Sequence, residues 1–307
     1  MANKMDKINK IIKLGRLQFL MAGFLLYSLG ALFAALNIGE FSGIKFLWGY
    51  AILMPAHLSI SYSNDYFDWK ADQFNSPSNF TGGSGILVQN PELKNFARNF
   101  AIILIAISLI VAILFAWNFS LPEILILAIF GNFLGWFYSA PPLKFSYHGW
   151  GEVSTSLTGF LLPGLGYLAL TGYIDLKFLL FALPLIIFQL IFICTVEIPD
   201  KEADIKGGKK NLIVSKGREF GFRLIGICSI TGTLILLVLS FVPIYSASIN
   251  FRYIALISFI LLIPSIYGFY KRPESKKEAS ALSEKILISL IIFAAISDIY
   301  FSYLFFK

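Results

Sequence analysis

The strongest constraint on this 307-residue chain is a succession of apolar stretches at approximately 16–36, 43–63, 96–117, 121–140, 151–171, 176–197, 219–241, 250–271 and 283–305. A helix needs roughly 20 apolar residues to cross the hydrocarbon core, because each backbone amide must find its partner within the segment. The runs are continuous rather than alternating, which favours helices over a β-barrel and predicts an all-α membrane protein with about nine transmembrane helices. The segments 121–140 and 151–171, separated by "PPLKFSYHGWG", also fit a re-entrant pair. A mean hydropathy of +0.74 with 14% charged residues excludes an ordinary soluble domain. The first stretch is too long for a signal peptide and lacks a small-residue cleavage site.

The basic residues set an expected orientation. Of the 25 Lys and Arg, 21 fall in the N-terminal segment and in the connections after the second, fourth, sixth and eighth stretches. Only Lys45, Lys177, Arg252 and Lys307 fall on the other side. The positive-inside rule then places the N-terminus in the cytoplasm and the C-terminus outside a cell membrane. The net charge of +7 belongs to one face and suits anionic headgroups or anionic substrates better than nucleic acid. Cys194 and Cys228 lie in apolar stretches and read as small hydrophobes.

Two connections are long, approximately 64–95 and 198–218, and each opens on acids. Seven of the eighteen acids (Asp65, Asp68, Asp72, Glu197, Asp200, Glu202, Asp204) fall within 64–72 and 197–204. On a continuing helix Asn64, Asp68 and Asp72 share one face at i, i+4, i+8, where like charges repel unless a cation sits among them. Acids at one helix end can simply solvate a boundary, but two such clusters on one membrane face point to facing halves of a divalent-cation site. Oxygen ligands without His or Cys favour Mg²⁺, which takes one or two carboxylates per ion and completes its shell with water and substrate phosphate. A phosphorylated, membrane-borne substrate follows, with a diphosphate as leaving group.

These residues, "NDYFDWKAD" (64–72) and "DKEAD" (200–204), resemble the two signatures of the UbiA superfamily of integral-membrane prenyltransferases, and the resemblance spans the chain. It implies one domain over 1–307, with helices ringed around a central cavity and a cytoplasmic cap from the two long loops. Mg²⁺, as two ions, and a prenyl diphosphate are then held between the motifs, with the isoprenoid tail among membrane-embedded aromatics. An aromatic or otherwise hydrophobic acceptor attacks the allylic carbon. Carried over by position, Asn64, Asp68, Asp72, Asp200 and Asp204 are metal-site residues, with Asp65 and Glu197 in support. Lys209 and Lys144 match diphosphate-binding basic residues, and Arg16 is a further candidate. Each also fits a positive-inside anchor. Tyr138 matches a tyrosine near the reacting carbon, where its π face could stabilise a cation.

Pro199 predicts a bent or restarted helix within the second motif. "TGGSG" (81–85) reads as a flexible loop rather than a phosphate nest. His57, about two turns before Asn64, either lines the cavity or packs between helices, and Asp298 reads as structural. Asn132 and Gln189 are cavity groups or interhelical hydrogen bonds. "TGGSGILVQ" with "EIPDKEAD" looks most like the branch that prenylates quinone precursors such as dihydroxynaphthoate. The archaeal ether-lipid branch, the alternative, usually carries an arginine after the first motif that "DQFNSPSNF" lacks. A transporter would place its ionisable residues near the midplane rather than at one surface.

Overall fold

The computed structural model describes residues 2–75, 83–245 and 249–307, with side chains from residue 8 onward. Among these residues the regular structure is entirely helical: α1 (Ala2–Leu14), α2 (Leu17–Ile38), α3 (Gly43–Asp72), α4 (Ile86–Gln89), α5 (Lys94–Phe119), α6 (Glu123–Phe137), α7 (Phe145–His148), α8 (Gly151–Thr171), α9 (Leu176–Gly207), α10 (Leu212–Leu239), α11 (Phe251–Ile257), α12 (Phe259–Lys271) and α13 (Lys276–Phe306). Six helices (α2, α5, α8, α9, α10, α13) are long and apolar enough to cross a bilayer, and α11 with α12, bent by 43°, would make a seventh. Each of the nine expected stretches is helical. However, α3 carries Lys45, Pro55, His57 and several serines, and α6 has only 15 residues. Large apolar side chains such as Ile126, Ile263 and Ile299 point outward, about two-thirds exposed, as a lipid-facing surface requires.

Polar caps start the helices. Asp175 accepts from Phe178 N (2.9 Å) and Asn211 from Val214 N (2.7 Å), each satisfying an amide that has no partner within its helix. The last long helix, α13, packs on both α2 and α9, so the bundle closes on itself. The tightest crossing joins α2 to α8: a Cβ on Gly30 would overlap the Pro163 backbone, and one on Gly166 would overlap Tyr27 O. Small residues let backbones approach where dispersion, not water exclusion, holds helices together. At the end of the bundle away from the acidic motifs, Phe33, Tyr167, Phe181, Phe251 and Phe301 are fully or almost fully buried, with Phe33 stacked on Phe181 at 4.3 Å.

Two expectations change here. The long connections do not begin where hydropathy falls: α3 runs on through Asp72 and α9 through Gly207, so residues 64–72 and 198–207 are helix rather than cap loop. Leaving the membrane does not end a helix, and neither polar stretch contains a residue that must. Pro199 forgoes one backbone hydrogen bond without breaking α9. Glu197, Asp200 and Asp204 therefore share a helical face after all.

Candidate functional site

The two helix extensions bring the acidic clusters together at the mouth of a cavity of about 330 Å³ inside the bundle. Asn64, Asp65, Asp68, Asp72, Glu197, Asp200 and Asp204 all line it, with Arg16, Tyr138 and Lys209. Below them the wall is mainly aliphatic, from residues such as Leu25, Leu53, Leu161 and Leu165, with Phe188 and Phe293 among a few aromatics. An aromatic-rich tail channel is thus not what forms, because most of the buried rings are spent packing the opposite end.

Asp68 is the most constrained acid. Ser139 Oγ donates to its Oδ2 and Tyr147 OH to its Oδ1, both at 2.9 Å. Lys209 Nζ lies 3.4 Å from Asp68 Oδ2 and 3.5 Å from Asp204 Oδ1. One cation thereby ties the first motif to the second. Burial alone would lower the Lys209 pKa, but Asp68 and Asp204 hold it well above the usual lysine range. Its position is fixed by the short turn before α10, where Asn211 Nδ2 donates to Asp204 Oδ2 (2.8 Å) and buried Glu152 of α8 accepts from Leu212 N.

The described part of the glycine stretch is docked rather than loose. Ser84 donates to Asp65 through its N–H (3.3 Å) and its hydroxyl, and Gly83, at φ +64°, sits where a Cβ would strike the Asp72 carboxylate. Thr81 and Gly82 lie outside the described residues. Burial, and then the charge of Asp65, push Asp72 up to about 8. Arg16 takes a left-handed backbone between α1 and α2 (φ 46°); its guanidinium lies over the Phe19 ring at 4.5 Å, and its buried Nη2 has no hydrogen-bond partner among the described residues. Burial lowers its pKa, against the opposing pull of Asp65, Asp72 and Asp200.

Lys144 departs from expectation. The chain turns through a left-handed residue there (φ 42°), and the side chain lies over the Tyr147 ring at 5.2 Å instead of lining the cavity. Asn132 belongs to an interhelical relay: its Nδ2 donates to Ser108 Oγ (3.1 Å), which donates to Ile52 O (2.9 Å). Asp298 accepts from Ser28 Oγ (2.5 Å), joining α13 to α2 away from the acids. Sequence reasoning missed Tyr147, Ser139, Glu152 and the capping role of Asn211. Only Asn211 carried a local signal, an asparagine directly before an apolar helical run.

The donor chemistry fits Mg²⁺ without forming a ready-made cage. Among the described residues no three carboxylates converge on one point. Yet Asn64 Oδ1 and Glu197 Oε2 are buried, unpartnered oxygens at the cavity wall, and buried polar atoms are ordinarily satisfied. A cation that needs only one or two carboxylates beside water and phosphate could be completed there.

Comparison with known proteins gives a consistent result. The family model described as UbiA prenyltransferase family matches residues 24–291. Two solved structures of a UbiA homolog from Archaeoglobus fulgidus share the fold. The one bound to GPP and Mg²⁺ has a TM-score of 0.71 at 18% identity, covering 97% of this chain and 100% of that one. The one bound to DMAPP and Mg²⁺ has a TM-score of 0.71 at 17% identity, covering 96% and 99%. A digeranylgeranylglyceryl phosphate synthase aligns with a TM-score of 0.60 at 18% identity, covering 94% and 99%. No curated protein sequence matches.

Proposed function

Because the chain belongs to the UbiA prenyltransferase family, we propose that it moves an isoprenyl group from a prenyl diphosphate to an aromatic quinone precursor such as dihydroxynaphthoate, with Mg²⁺, inside the membrane. The observation that carries this reading is the junction of Asp68 and Asp204, from two helices, on Lys209 at the mouth of an apolar cavity. GPP and DMAPP with Mg²⁺ in structures of the same fold support the donor and the metal.

In this reading Asn64, Asp65, Asp68, Asp72, Glu197, Asp200 and Asp204 supply hard oxygen ligands. Bound Mg²⁺ would neutralise the charge that grows on the departing diphosphate. Lys209 and Arg16 add positive charge from the protein and hold the diphosphate at the mouth. The tail descends between aliphatic walls. Tyr138 presents its ring to the carbon that loses the diphosphate, and the apolar surroundings keep water from that carbon. Lys144 acts at one remove, through the ring of Tyr147. The whole chain forms one domain, and the lysine and arginine distribution supports a cytoplasmic mouth.

The acceptor rests on "TGGSGILVQ" and "EIPDKEAD" and on the missing arginine after the first motif. The test offers purified protein Mg²⁺, several prenyl diphosphates and a panel of aromatic and glyceryl-phosphate acceptors, with products read by mass spectrometry. A prenylated dihydroxynaphthoate product is expected. An ether-linked glyceryl phosphate would replace the acceptor but keep the chemistry, and no Mg²⁺-dependent product with any acceptor would remove both.

A further inference from the structure

About two turns below the acids, the cavity wall changes character at two matched points. His57 lies seven residues before Asn64 on α3 and Gln189 eight before Glu197 on α9, about 10 and 12 Å deeper at 1.5 Å per residue. Both line the cavity, in a wall that is otherwise mostly aliphatic at this depth. His57 makes no hydrogen bond among the described residues, and its Nδ1 is buried without a partner. Nδ1 and Cε1 face α2, where a Cβ on Gly23 would overlap them, so Nε2 is the nitrogen left to meet a ligand in the cavity. Gln189 Oε1 lies 3.3 Å from Thr158 Oγ1, but that hydroxyl gives its one proton to Thr155 O (2.6 Å), so the hydrogen-bonding capacity of the Gln189 amide stays open to a ligand in the cavity.

A hydrocarbon tail has nothing with which to satisfy either group, and an unmet buried polar group is costly. A phosphate would call for a cation, but the two basic residues of the described lining, Arg16 and Lys209, both belong to the mouth. What the pair suits is an uncharged oxygen that both gives and takes hydrogen bonds.

We infer that His57 and Gln189 form an acceptor subsite for a phenolic or quinone-type hydroxyl or carbonyl, which turns the far edge of an aromatic ring towards the carbon leaving the diphosphate. The inference rests on the prenyl-transfer reading and assigns residues to its acceptor. Its residues lie away from the acids and basic residues that would hold the diphosphate, so the two halves of the site separate under mutation.

The test uses the full chain in lipid nanodiscs, with 1,4-dihydroxynaphthalene as the acceptor probe and GPP with Mg²⁺ as the donor probe. His57→Leu and Gln189→Leu should each weaken binding of the naphthalene diol about tenfold, the worth of one good hydrogen bond. GPP binding should stay at the wild-type value, and His57→Gln should recover most of the diol affinity. The inference is overturned if the wild-type protein does not bind the diol, if the leucine variants bind it equally well, or if they lose GPP in parallel. Failure of wild-type protein to bind GPP with Mg²⁺ would instead remove the prenyl-transfer reading.

Discussion

Lys209 Nζ stands 3.4 Å from Asp68 Oδ2, across the gap between two helices whose acidic clusters lie 125 or more residues apart in sequence. The same nitrogen reaches Asp204 at 3.5 Å. The carboxylates that would hold Mg²⁺ thus have an internal counter-ion before any metal or diphosphate arrives. On the prenyl-transfer reading, Lys209 would exchange these carboxylates for phosphate oxygens as a cation takes its place.

Asp68→Asn and Asp204→Asn each remove a proposed Mg²⁺ ligand and half of the Lys209 partnership while keeping shape. Mg²⁺-dependent prenyl transfer should fall by at least about a hundredfold, roughly the 2.7 kcal/mol lost with one preorganised electrostatic contact. Folded yield on size exclusion should remain. Full activity in both variants would contradict the site.

Lys209→Gln leaves two buried carboxylates facing each other without a cation. The metal-free variant should melt below wild type, since an unpaired buried charge is costly. Added Mg²⁺ should raise its Tm by more than it raises that of wild type. An equal shift in the two proteins would mean that lysine and metal do not share this place.

Asp72, pushed up to about 8, gives the metal-free protein a signed pH dependence. An acid whose pKa is higher folded than unfolded contributes stability that is complete below about 4 and is lost as pH rises through its folded value. Without Mg²⁺ the Tm should therefore drop from about pH 4 to about pH 8 and level off above that. Proton and cation compete for the carboxylate, so Mg²⁺ affinity should climb over the same interval. Asp72→Asn should flatten both curves, as calorimetry at fixed ionic strength would show.

Gly30→Leu tests the α2–α8 crossing. A side chain there must displace the Pro163 backbone, and overpacking against a backbone that cannot yield costs upward of about 2 kcal/mol. The variant should lose thermal stability or elute as aggregate, while Gly39→Ala, which meets nothing within 4 Å, should shift Tm far less despite its positive φ. Similar behaviour of the two would mean that the crossing is looser than it looks.

Part of the site was legible because its logic is local. "NDYFDWKAD" shows its i, i+4 spacing directly, and a helix that continues turns that spacing into one face. Pro199 misled, because proline usually ends a helix but a long packed helix can carry one missing hydrogen bond. Lys144 and Lys209 are both lysines beside a turn, and only the path of the backbone separates the one over Tyr147 from the one between two aspartates. Tyr147, Ser139 and Glu152 had no signal to read, since each acts on a residue 60 or more positions away.

The sequence by itself determined the solvent this chain is built for and the chemistry it gathers, because apolar length and acid spacing are properties of a single segment. The charge asymmetry of the connections also supported placing the two acidic clusters near one membrane face. Only the tertiary structure decided that Asp68 and Asp204 share Lys209, and that His57 meets the cavity beside Gly23. Those facts depend on how helices cross, and the crossings are set by small residues such as Gly30 and Gly166, whose partners no single segment reveals.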